Sequence, residues 1–547
     1  MTGGRILSSL DRRQVLIAAG VLPLLSALRI SPGLAAPPSG AFDVHCHVFN
    51  ATDLPISGFL RRVVFEDYGE QVAADALSVP SPIAALVATL VGFLRNGVIT
   101  AEDELAQITA SAMALGQSFD PFSLRAQRAL EDALGDVLAG GAAVFSADAE
   151  QPVPQESIDA LRAAIEAEIG SAPEAQVEAA DLMAPTASRL FIGSGLIGRT
   201  FRWAAWLRSP RLRLIERLAE LYGGDGRVTF FTPALVDYEH WLGDRPRSDL
   251  ASQVRVMEAA QKAAFQQFNV FVHSLAPFDP WRQAMDVAAG RSPTALDIAR
   301  NTVEERGFIG VKLYPPMGFR PTANAGAGLT YPAAAAGLED FSEKIDAALD
   351  QLYAWAEAEG VPILSHAANS QGAGPGYSER ANPSGWEAVL ARYPDLRLSL
   401  AHFGDFDEAS GTAPWENATG ALLARYRNVV TDLSYLSEAL PSAPPHRREA
   451  IAGQIRAFLA SFDANAERLV YGSDWIMLGR EADQHRYFEE VQSLLGQAGV
   501  TPAQWSSIAR GNAIRFYGLG PGGAARTRLE GWYQRMQLDA SALAQFD

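Results

Sequence analysis

The sequence is poor in cysteine and lysine, and basic residues are in the minority. Its one cysteine, Cys46, cannot form an intrachain disulfide, so packing must stabilise the fold. Of 45 basic residues only Lys262, Lys312 and Lys344 are lysine. Because arginine serves as the general basic residue, a lysine inside a strand indicates a specific role. The formal net charge is −18. This acidic excess argues against a nucleic-acid partner, because proteins that bind phosphate backbones concentrate Lys and Arg on one face.

Long apolar runs are also lacking, since a membrane-spanning helix takes roughly 20 residues. The apolar stretch 15–28 is shorter than that, follows Arg12 and Arg13, and gives way to small residues suited to cleavage near residue 35. The pattern resembles a twin-arginine export signal. It predicts that residues 1–35 are removed and that the mature protein is periplasmic or secreted, with no membrane contact. An uncleaved membrane anchor is the alternative.

Short runs rich in β-branched and aromatic residues recur along the chain, and after residue 226 each is followed by a loop and a helical pattern. Helical spacing of apolar residues is clearest over 340–360 and 486–499. Eight runs are candidate strands: FDVH from Phe42, VTFFTPAL from Val228, NVFVHSL from Asn269, FIGVKLY from Phe308, PILSH from Pro362, LRLSLAH from Leu396, NVVTDLS from Asn428 and LVYGSD from Leu469. Alternating strands and helices predict an α/β fold, and eight repeats predict a (β/α)8 TIM barrel, whose reactive residues lie at the carboxyl ends of the strands.

A long stretch without strand signals separates the first two candidate strands. It contains helical patterns from Pro82, from Thr100 with a Thr-x-x-Asp capping box, and from Phe122. We therefore predict that residues 41–50 and 209–525 form the barrel and that residues 51–208 are a helical insertion on its catalytic rim. Two roles fit the insertion, a stabilising or dimerising bundle and a lid over the substrate. A homo-oligomer is thus one open alternative.

Four of the eight histidines fall at predicted strand ends. His45 and His47 alternate on the first strand and share a face, so both point towards the barrel axis. His366 closes PILSH, His402 closes LSLAH, and Asp474 closes LVYGSD. A buried imidazole without a partner costs free energy, so four imidazoles and a carboxylate at one end of a barrel indicate a metal site.

The motifs FDVHCH, GVKLYP, SLAHFG and YGSDW together resemble the amidohydrolase superfamily, in particular the amidohydrolase-related branch that includes aminocarboxymuconate-semialdehyde decarboxylase. The resemblance covers the first strand and roughly residues 228–520, and it leaves out the insertion. It implies a divalent metal, with Zn²⁺ as the expected ion, held by His45, His47, His366 and Asp474. It also implies that His402 orients the metal-bound water or polarises the substrate, and that Asp474 is the proton acceptor.

A Zn²⁺ ion held by imidazoles and a carboxylate keeps one coordination position open, lowers the pKa of its water to about 7 and polarises a carbonyl group. The sequence therefore predicts a hydrolase that uses a metal-activated water on a small carbonyl substrate. Lactones, amides and compounds with a C–C bond next to a carbonyl are the candidate substrates. Two alternatives remain: a metal-dependent, non-oxidative decarboxylase of an aromatic or unsaturated acid, and a non-catalytic binding protein on the same barrel.

Lys312 lies on the fourth candidate strand, where it shares a face with Gly310 and Tyr314. We expect one metal ion, with Lys312 as an electrostatic clamp for an anionic substrate or as a partner of Asp474. In binuclear relatives a lysine on this strand is carboxylated and bridges two metals, with the counterpart of His402 as a second-metal ligand, so a two-metal site is an alternative. A lysine that only pairs with a neighbouring carboxylate is another.

Weaker candidates for substrate contact lie elsewhere on the predicted rim. They are His273, Tyr314, Arg320 and Trp475. A hydrogen-bonded structural role suits His273 equally well, and rim aromatic residues often only pack. Asp43 and Asp432 lie in candidate strands and are expected to be hydrogen-bond partners of the histidines.

Overall fold

The eight predicted runs all form strands in the computed structural model, which describes residues 40–65, 83–110, 128–130, 132–135, 153, 155–170, 195–224, 226–404 and 413–547. The strands are β1 (Ala41–Cys46), β2 (Val228–Pro233), β3 (Phe271–Val272), β4 (Leu275–Pro277), β5 (Gly310–Leu313), β6 (Ile363–His366), β7 (Leu398–Ala401), β8 (Val429–Asp432) and β9 (Leu469–Val470). The third run breaks at His273 and therefore supplies both β3 and β4.

All strand pairings are parallel. Strands β1 to β3 form one sheet and β4 to β9 another, each in chain order. A bridge joins the sheets between Ala234 and Leu275. At the other edge the backbone N–H of Val44 donates to the carbonyl of Tyr471 at 3.0 Å, and that of Asp474 donates to the carbonyl of His45 at 2.7 Å. Because the sheets are hydrogen-bonded at both edges, the strands follow the predicted order of a TIM barrel.

Helices occupy most of the intervals between the strands, and four of them follow the last strand. They are α1 (Ile56–Phe59), α2 (Ile83–Arg95), α3 (Ala101–Ala110), α4 (Gln155–Gly170), α5 (Leu196–Trp206), α6 (Arg211–Gly223), α7 (Glu239–Leu242), α8 (Leu250–Phe268), α9 (Pro280–Ala288), α10 (Ala295–Glu305), α11 (Phe341–Ala358), α12 (Glu387–Arg392), α13 (Pro414–Arg425), α14 (Pro445–Phe462), α15 (Tyr487–Gln497), α16 (Pro502–Ser506), α17 (Asn512–Tyr517) and α18 (Ala524–Met536). Helices α11 and α15 coincide with the patterns over 340–360 and 486–499. No helix within the described ranges is long and apolar enough to cross a membrane.

The stretch between β1 and β2 contains no strand among its described residues. Helices α2 and α3 begin where the sequence patterns predict, and the backbone N–H of Asp103 donates to the Oγ1 atom of Thr100 at 3.3 Å, as in a capping box. Most of the helix predicted from Phe122 lies outside the described residues, and so does the N-terminal segment 1–35.

A buried ion network ties this stretch to the barrel. Arg211, at the start of α6, donates from Nε to Asp53 Oδ2 at 2.9 Å and from a terminal nitrogen to Glu104 Oε2 at 2.8 Å. Its other terminal nitrogen donates to Asn50 and Thr52, both at 3.2 Å. Since Glu104 lies on α3 and the other acceptors directly follow β1, the network fixes the chain that leaves the carboxyl end of β1.

Aromatic residues cover the opposite end of the strands. Phe42 of β1 stacks on Phe230 of β2 with ring centroids 4.3 Å apart, and Phe546 packs edge-on against both. Phe271 of β3 also contacts Phe546, at 5.0 Å. The last residues of the chain therefore close the amino-terminal end of the barrel and leave the carboxyl end for the histidines.

Candidate metal centre

The carboxyl end of β1 presents two imidazoles with the same proton arrangement. His47 Nδ1–H donates to the carbonyl of Ala234 at 2.8 Å, and His45 Nδ1–H donates to Asp432 Oδ2 at 3.0 Å. Each Nε2 atom therefore carries a lone pair. A hydrogen bond from the second ring nitrogen to a carbonyl or carboxylate is how proteins orient a metal-binding histidine.

Asp474 supplies a carboxylate to both of these imidazoles. Its Oδ1 atom lies 3.2 Å from His47 Nε2 and 3.7 Å from His45 Nε2. Ligand atoms of these three residues all lie within 4.8 Å of one another. Burial alone would raise the pKa of Asp474, but its contact with His47 and the nearby imidazoles hold that pKa below the usual value, so the carboxylate is ionised.

His402 and His366 form a second imidazole pair beside His45. The His402 ring centroid lies 5.0 Å from that of His45 and 4.5 Å from that of His366. His366 Nδ1–H donates to His402 Nε2 at 3.0 Å, and Ser370 donates to His366 Nε2 at 3.3 Å. His366 belongs to neither group of mutually close ligand atoms that the described residues form. Burial and the neighbouring His402 lower the pKa of His366, so its ring is neutral.

Asp432 joins the two imidazole pairs. Its Oδ1 atom accepts from the backbone N–H groups of His402 at 2.9 Å and Ser434 at 3.0 Å, while Oδ2 accepts from His45. Ser434 Oγ–H also donates to Asp432 and accepts from His402 Nδ1–H at 2.9 Å. Although burial alone would raise the pKa of Asp432, the adjacent His45 and the hydrogen bond from its Nδ1–H lower that pKa. The ligand atoms of His45, His402 and Asp432 form the second group within 4.8 Å.

Two residues of the centre have a left-handed backbone. His402 has φ of 71° and Asp474 has φ of 56°. Residues other than glycine rarely adopt this conformation, and such strain persists only where surrounding contacts enforce it. The hydrogen bonds from the His402 backbone to Asp432 and from the Asp474 backbone to His45 supply those contacts.

Lys312 lies against the same ligands. It is 2% exposed, and its Nζ atom donates to His45 Nε2 at 3.0 Å. Burial lowers the pKa of Lys312 to about 8. The charged side chains at this centre are the carboxylates of Asp432 and Asp474 and the ammonium group of Lys312. The buried excess of negative charge and the inward lone pairs fit a divalent cation.

These side chains border a small cavity, which we call the histidine cavity. Its polar wall consists of His45, His47, Lys312, His366, Gln371, His402 and Asp474. The remaining wall consists of Phe49, Phe59, Val63, Tyr238, Tyr314 and Met477. Phe59 ends α1 and Val63 lies one turn later, so the start of the stretch predicted as an insertion contributes directly to this cavity.

A second, smaller cavity, which we call the aromatic cavity, adjoins the first. The two share Tyr238, Lys312 and Tyr314. The rest of its wall consists of Val236, Asp237, Trp241, Phe278, Asp279, Met317 and Phe319.

The weaker candidates separate into residues inside and outside these walls. Tyr314 lines both cavities, and its hydroxyl donates to Gln371 at 2.9 Å. Arg320 is exposed and Trp475 is buried, and neither lines either cavity. The indole of Trp475 instead donates to Gln484 at 3.0 Å.

His273 is placed away from both cavities. Its Nδ1–H donates to the carbonyl of Gly307 at 2.9 Å, and its Nε2 accepts from the hydroxyl of Tyr533 at 3.3 Å. Phe230 and Trp532 pack against its ring. Because the third run breaks at this residue, the alternation that directs strand-end side chains to the cavity does not hold here, and the hydrogen-bonded structural role fits the contacts.

Several residues of the centre were not predicted from the sequence. Ser434 follows Asp432 by two positions, and that spacing is a signal that would have placed both on one face. Phe59 and Val63 have the four-residue spacing of one helix face, but nothing in the sequence indicates which cavity that face meets. Gln371 lies in a loop, where periodicity gives no direction. Asp432 does contact an imidazole, whereas Asp43 accepts from the backbone N–H of His45.

The family described as Amidohydrolase matches residues 215–519, which is more than half of the chain. No curated protein matches the chain. Among solved structures, the chain is similar to an amidohydrolase from Burkholderia multivorans with bound zinc, at 17% identity over 55% of this chain and 87% of the other, with a TM-score of 0.36.

Two further structures are similar at the same level. One is a proposed metal-dependent hydrolase from Lactobacillus casei, at 14% identity over 88% of this chain and 96% of the other, with a TM-score of 0.36. The other is a 5-carboxyvanillate decarboxylase from Novosphingobium aromaticivorans complexed with manganese and 4-hydroxy-3-methoxy-5-nitrobenzoic acid, at 15% identity over 55% and 79% of the chains, with a TM-score of 0.33. Identities and scores of this size carry no argument about the substrate.

Proposed function

Because the chain belongs to the amidohydrolase family of metal-dependent enzymes, we propose that it is a hydrolase that adds water to the carbonyl carbon of a small substrate. Lactones, amides and compounds with a C–C bond next to a carbonyl are the substrate classes that this reaction covers. The observation that carries the proposal is the position of Asp474, whose Oδ1 atom faces the Nε2 lone pairs of His45 and His47 at the wall of the histidine cavity.

We propose one Zn²⁺ ion, held by His45, His47, His366 and Asp474, which requires His366 Nδ1 to give up its hydrogen bond to His402 when the ion binds. Imidazole nitrogens and a carboxylate oxygen are ligands that Zn²⁺ binds. When bound, the ion would polarise a carbonyl group and lower the pKa of a water molecule. A second ion is disfavoured because the alternative donors, Asp432 and His402, are already engaged with each other and with Ser434.

The side chains of the centre divide the remaining work. Asp474 is ionised and borders the cavity, so it can accept a proton from the attacking water and return it to the leaving group. His402 would orient the same water through Nε2, a role that requires the hydrogen bond from His366 Nδ1–H to His402 Nε2 to break when His366 binds the ion. Phe49, Phe59 and Met477 make the facing wall apolar, which limits the access of bulk water.

A decarboxylase acting on an aromatic or unsaturated acid is the second candidate, and Lys312 is the observation that favours it. Among the described lining residues of both cavities, Lys312 is the one lysine or arginine available to hold a carboxylate. Arg282 is paired with Asp237 and Glu239 instead. Since Lys312 can also orient the anionic group of a hydrolase substrate, hydrolysis remains the leading proposal.

Elemental analysis combined with an activity panel tests these proposals. We expect one zinc per chain in the wild type and in His446→Ala, a control at an exposed histidine. His47→Ala and His366→Ala should lose stoichiometric zinc together with turnover of lactones, amides or aromatic acids, with products identified by mass spectrometry. Wild-type metal content in His366→Ala would remove that residue from the ligand set. A wild type without stoichiometric zinc would support the binding-protein alternative.

We also propose that the mature protein is exported to the periplasm or secreted. The support is the pattern of paired arginines, a short apolar stretch and small residues in segment 1–35.

A further inference from the structure

Gln371 is the one amide side chain among the described residues that line the histidine cavity, and the chemistry proposed above does not use it. The side chain is half-buried, and its Oε1 atom accepts a hydrogen bond from the hydroxyl of Tyr314 at 2.9 Å. Because that bond occupies the acceptor end of the amide, the NH₂ end is the one available to a ligand. No described residue accepts a hydrogen bond from this NH₂ group.

Tyr314 holds the amide in this orientation through a ring that is itself packed in place. The ring centroid of Tyr314 lies 4.6 Å from that of His366 and 5.2 Å from that of Tyr238. Ser370, the residue before Gln371, donates to His366 Nε2 at 3.3 Å. The amide therefore belongs to the part of the wall that surrounds His366, one of the proposed metal ligands.

The backbone around Gln371 is fixed by specific contacts. Gln371 has φ of 56°, a left-handed conformation that residues other than glycine adopt only where their surroundings enforce it. The backbone N–H of Ala373 donates to the carbonyl of Pro316 at 2.9 Å, and a Cβ atom on Gly372 would lie 2.6 Å from the backbone nitrogen of Ser378. The loop is thus packed tightly against the chain that follows β5. An amide held in this way loses little conformational entropy when it binds a ligand.

The histidine cavity has room for about one water molecule. An oxygen atom that enters so small a space faces both the proposed metal ligands and the donors in the wall. Tyr238 brings a hydroxyl to this cavity, but it also lines the aromatic cavity, and no described hydrogen bond fixes the direction of its proton. Lys312 donates to His45 Nε2. Gln371 is therefore the oriented, neutral donor for an oxygen at this position.

Resting on the proposed function, we infer that Gln371 is a catalytic residue whose NH₂ group donates a hydrogen bond to the carbonyl oxygen of the substrate. As the oxygen of the attacking water bonds to the carbonyl carbon, the π electron pair moves onto the carbonyl oxygen and the proton of the water passes to Asp474. Gln371 keeps its own protons, and its hydrogen bond strengthens as negative charge develops on that oxygen. Tyr314 is a positioning residue, because its hydroxyl fixes which end of the amide faces the substrate.

Steady-state kinetics on the panel of lactones and amides tests this role with two variants. Gln371→Glu keeps the shape of the side chain and an acceptor for the Tyr314 hydroxyl, but it replaces the donor with a carboxylate oxygen. Gln371→Leu removes both ends of the amide. We expect kcat to fall about 10²–10³-fold in Gln371→Leu and at least as far in Gln371→Glu, with little change in KM. An amide with a purely structural role predicts near-wild-type kcat in Gln371→Glu, and that result would overturn the inference.

Tyr314→Phe tests the positioning role. It should lower the kcat of the wild type and add no further loss in the Gln371→Leu background, whereas an equal loss in both backgrounds would overturn that role. Two variants are controls: Tyr353→Phe, which removes a hydroxyl that donates to the carbonyl of Pro321 at 2.8 Å, and Asn369→Ala, in the same loop as Gln371. Neither residue lines either cavity, so both variants should retain the wild-type kcat.

Binding of methylphosphonate to the zinc-loaded protein, measured by calorimetry, supplies a readout that does not need turnover. Its tetrahedral oxygens carry negative charge as the transition state does, so Gln371→Glu should weaken its binding at least about tenfold and Asn369→Ala should not. The melting temperature and zinc content of each variant separate misfolding from loss of the donor.

The outcomes distinguish this inference from the proposed function. Wild-type methylphosphonate affinity in a folded, zinc-containing Gln371→Glu, or no methylphosphonate binding by an active wild type, would overturn the inference and leave the hydrolase standing. Methylphosphonate binding that depends on Gln371 in a protein without turnover would contradict the proposed hydrolase and leave the oxyanion donor standing.

Discussion

Replacing Asp432 with asparagine should weaken zinc binding although Asp432 is not assigned as a ligand. The wild-type carboxylate accepts from His45 Nδ1–H through one oxygen and from two backbone N–H groups through the other. Asparagine keeps a single oxygen. If that oxygen meets the backbone groups, its NH₂ group confronts the Nδ1–H of His45, and if it meets His45, the NH₂ group confronts the backbone donors. In either orientation two donors face each other.

His45 can relieve this repulsion by carrying its proton on Nε2, which removes the lone pair that the metal would need. Loss of such an orienting partner costs about 10- to 100-fold in metal affinity, or about 1.4–2.8 kcal/mol. Competition between the protein and a chromophoric zinc chelator at fixed pH measures this directly. Circular dichroism of the metal-free protein checks that the fold survives.

Asp43→Asn is the matched control. Asp43 is also fully buried beside His45, but it accepts from Ser473 and from the His45 backbone and contacts no imidazole. Its substitution should lower stability and leave zinc affinity close to that of the wild type. An unchanged affinity in Asp432→Asn, or an equal loss in both variants, would refute the orienting role.

Four other predictions follow from the structure. Arg211→Met leaves two buried carboxylates unpaired and should lower the free energy of unfolding by about 3–5 kcal/mol in urea titrations, whereas a surface-like loss below about 1 kcal/mol would contradict the buried network. Gly472→Ala would place a Cβ atom 2.9 Å from that of His45, so we expect loss of zinc as well as stability, and a variant with full zinc content would show that the strands can separate. His273→Ala should lower the melting temperature without changing zinc content or specific activity, and a selective loss of activity would count against its structural role. Replacing both arginines of the N-terminal pair with lysine should leave the protein in the cytoplasm with its full mass, and fractionation with N-terminal sequencing reads the outcome.

The strands and the first members of the centre were predictable because both depend on local pattern. Two histidines at alternate positions on one strand must share a face, and β6 and β7 bring their own histidines to the same end of a parallel sheet. The same rule puts Lys312 and Tyr314 together in the cavity walls. In each case the alternation of side chains along a strand predicts which face of the sheet the side chain occupies.

The direction of a side chain outside a regular strand could not be predicted from periodicity. His273 sits at a break between two short strands, so its side chain turns to Gly307 and away from the cavities. Gln371 lies in a loop, and Phe59 reaches the site only through the packing of α1. The pairing of Lys312 with His45 depends on contacts between strands far apart in the chain, which no local pattern reports.

The hydrogen bond between Asp43 and Ser473 joins residues 430 positions apart. The contacts of Asp474 with His45 and His47 join nearly the same two parts of the chain. A ribosome that adds about 5–20 residues per second needs roughly 20–90 seconds to synthesise that interval. During this time His45 and His47 exist without Asp474, and β1 lacks its contact with the chain that follows β9. The complete set of ligands therefore exists only after Asp474 has been synthesised, and the ion obtained depends on which ions are present where folding finishes.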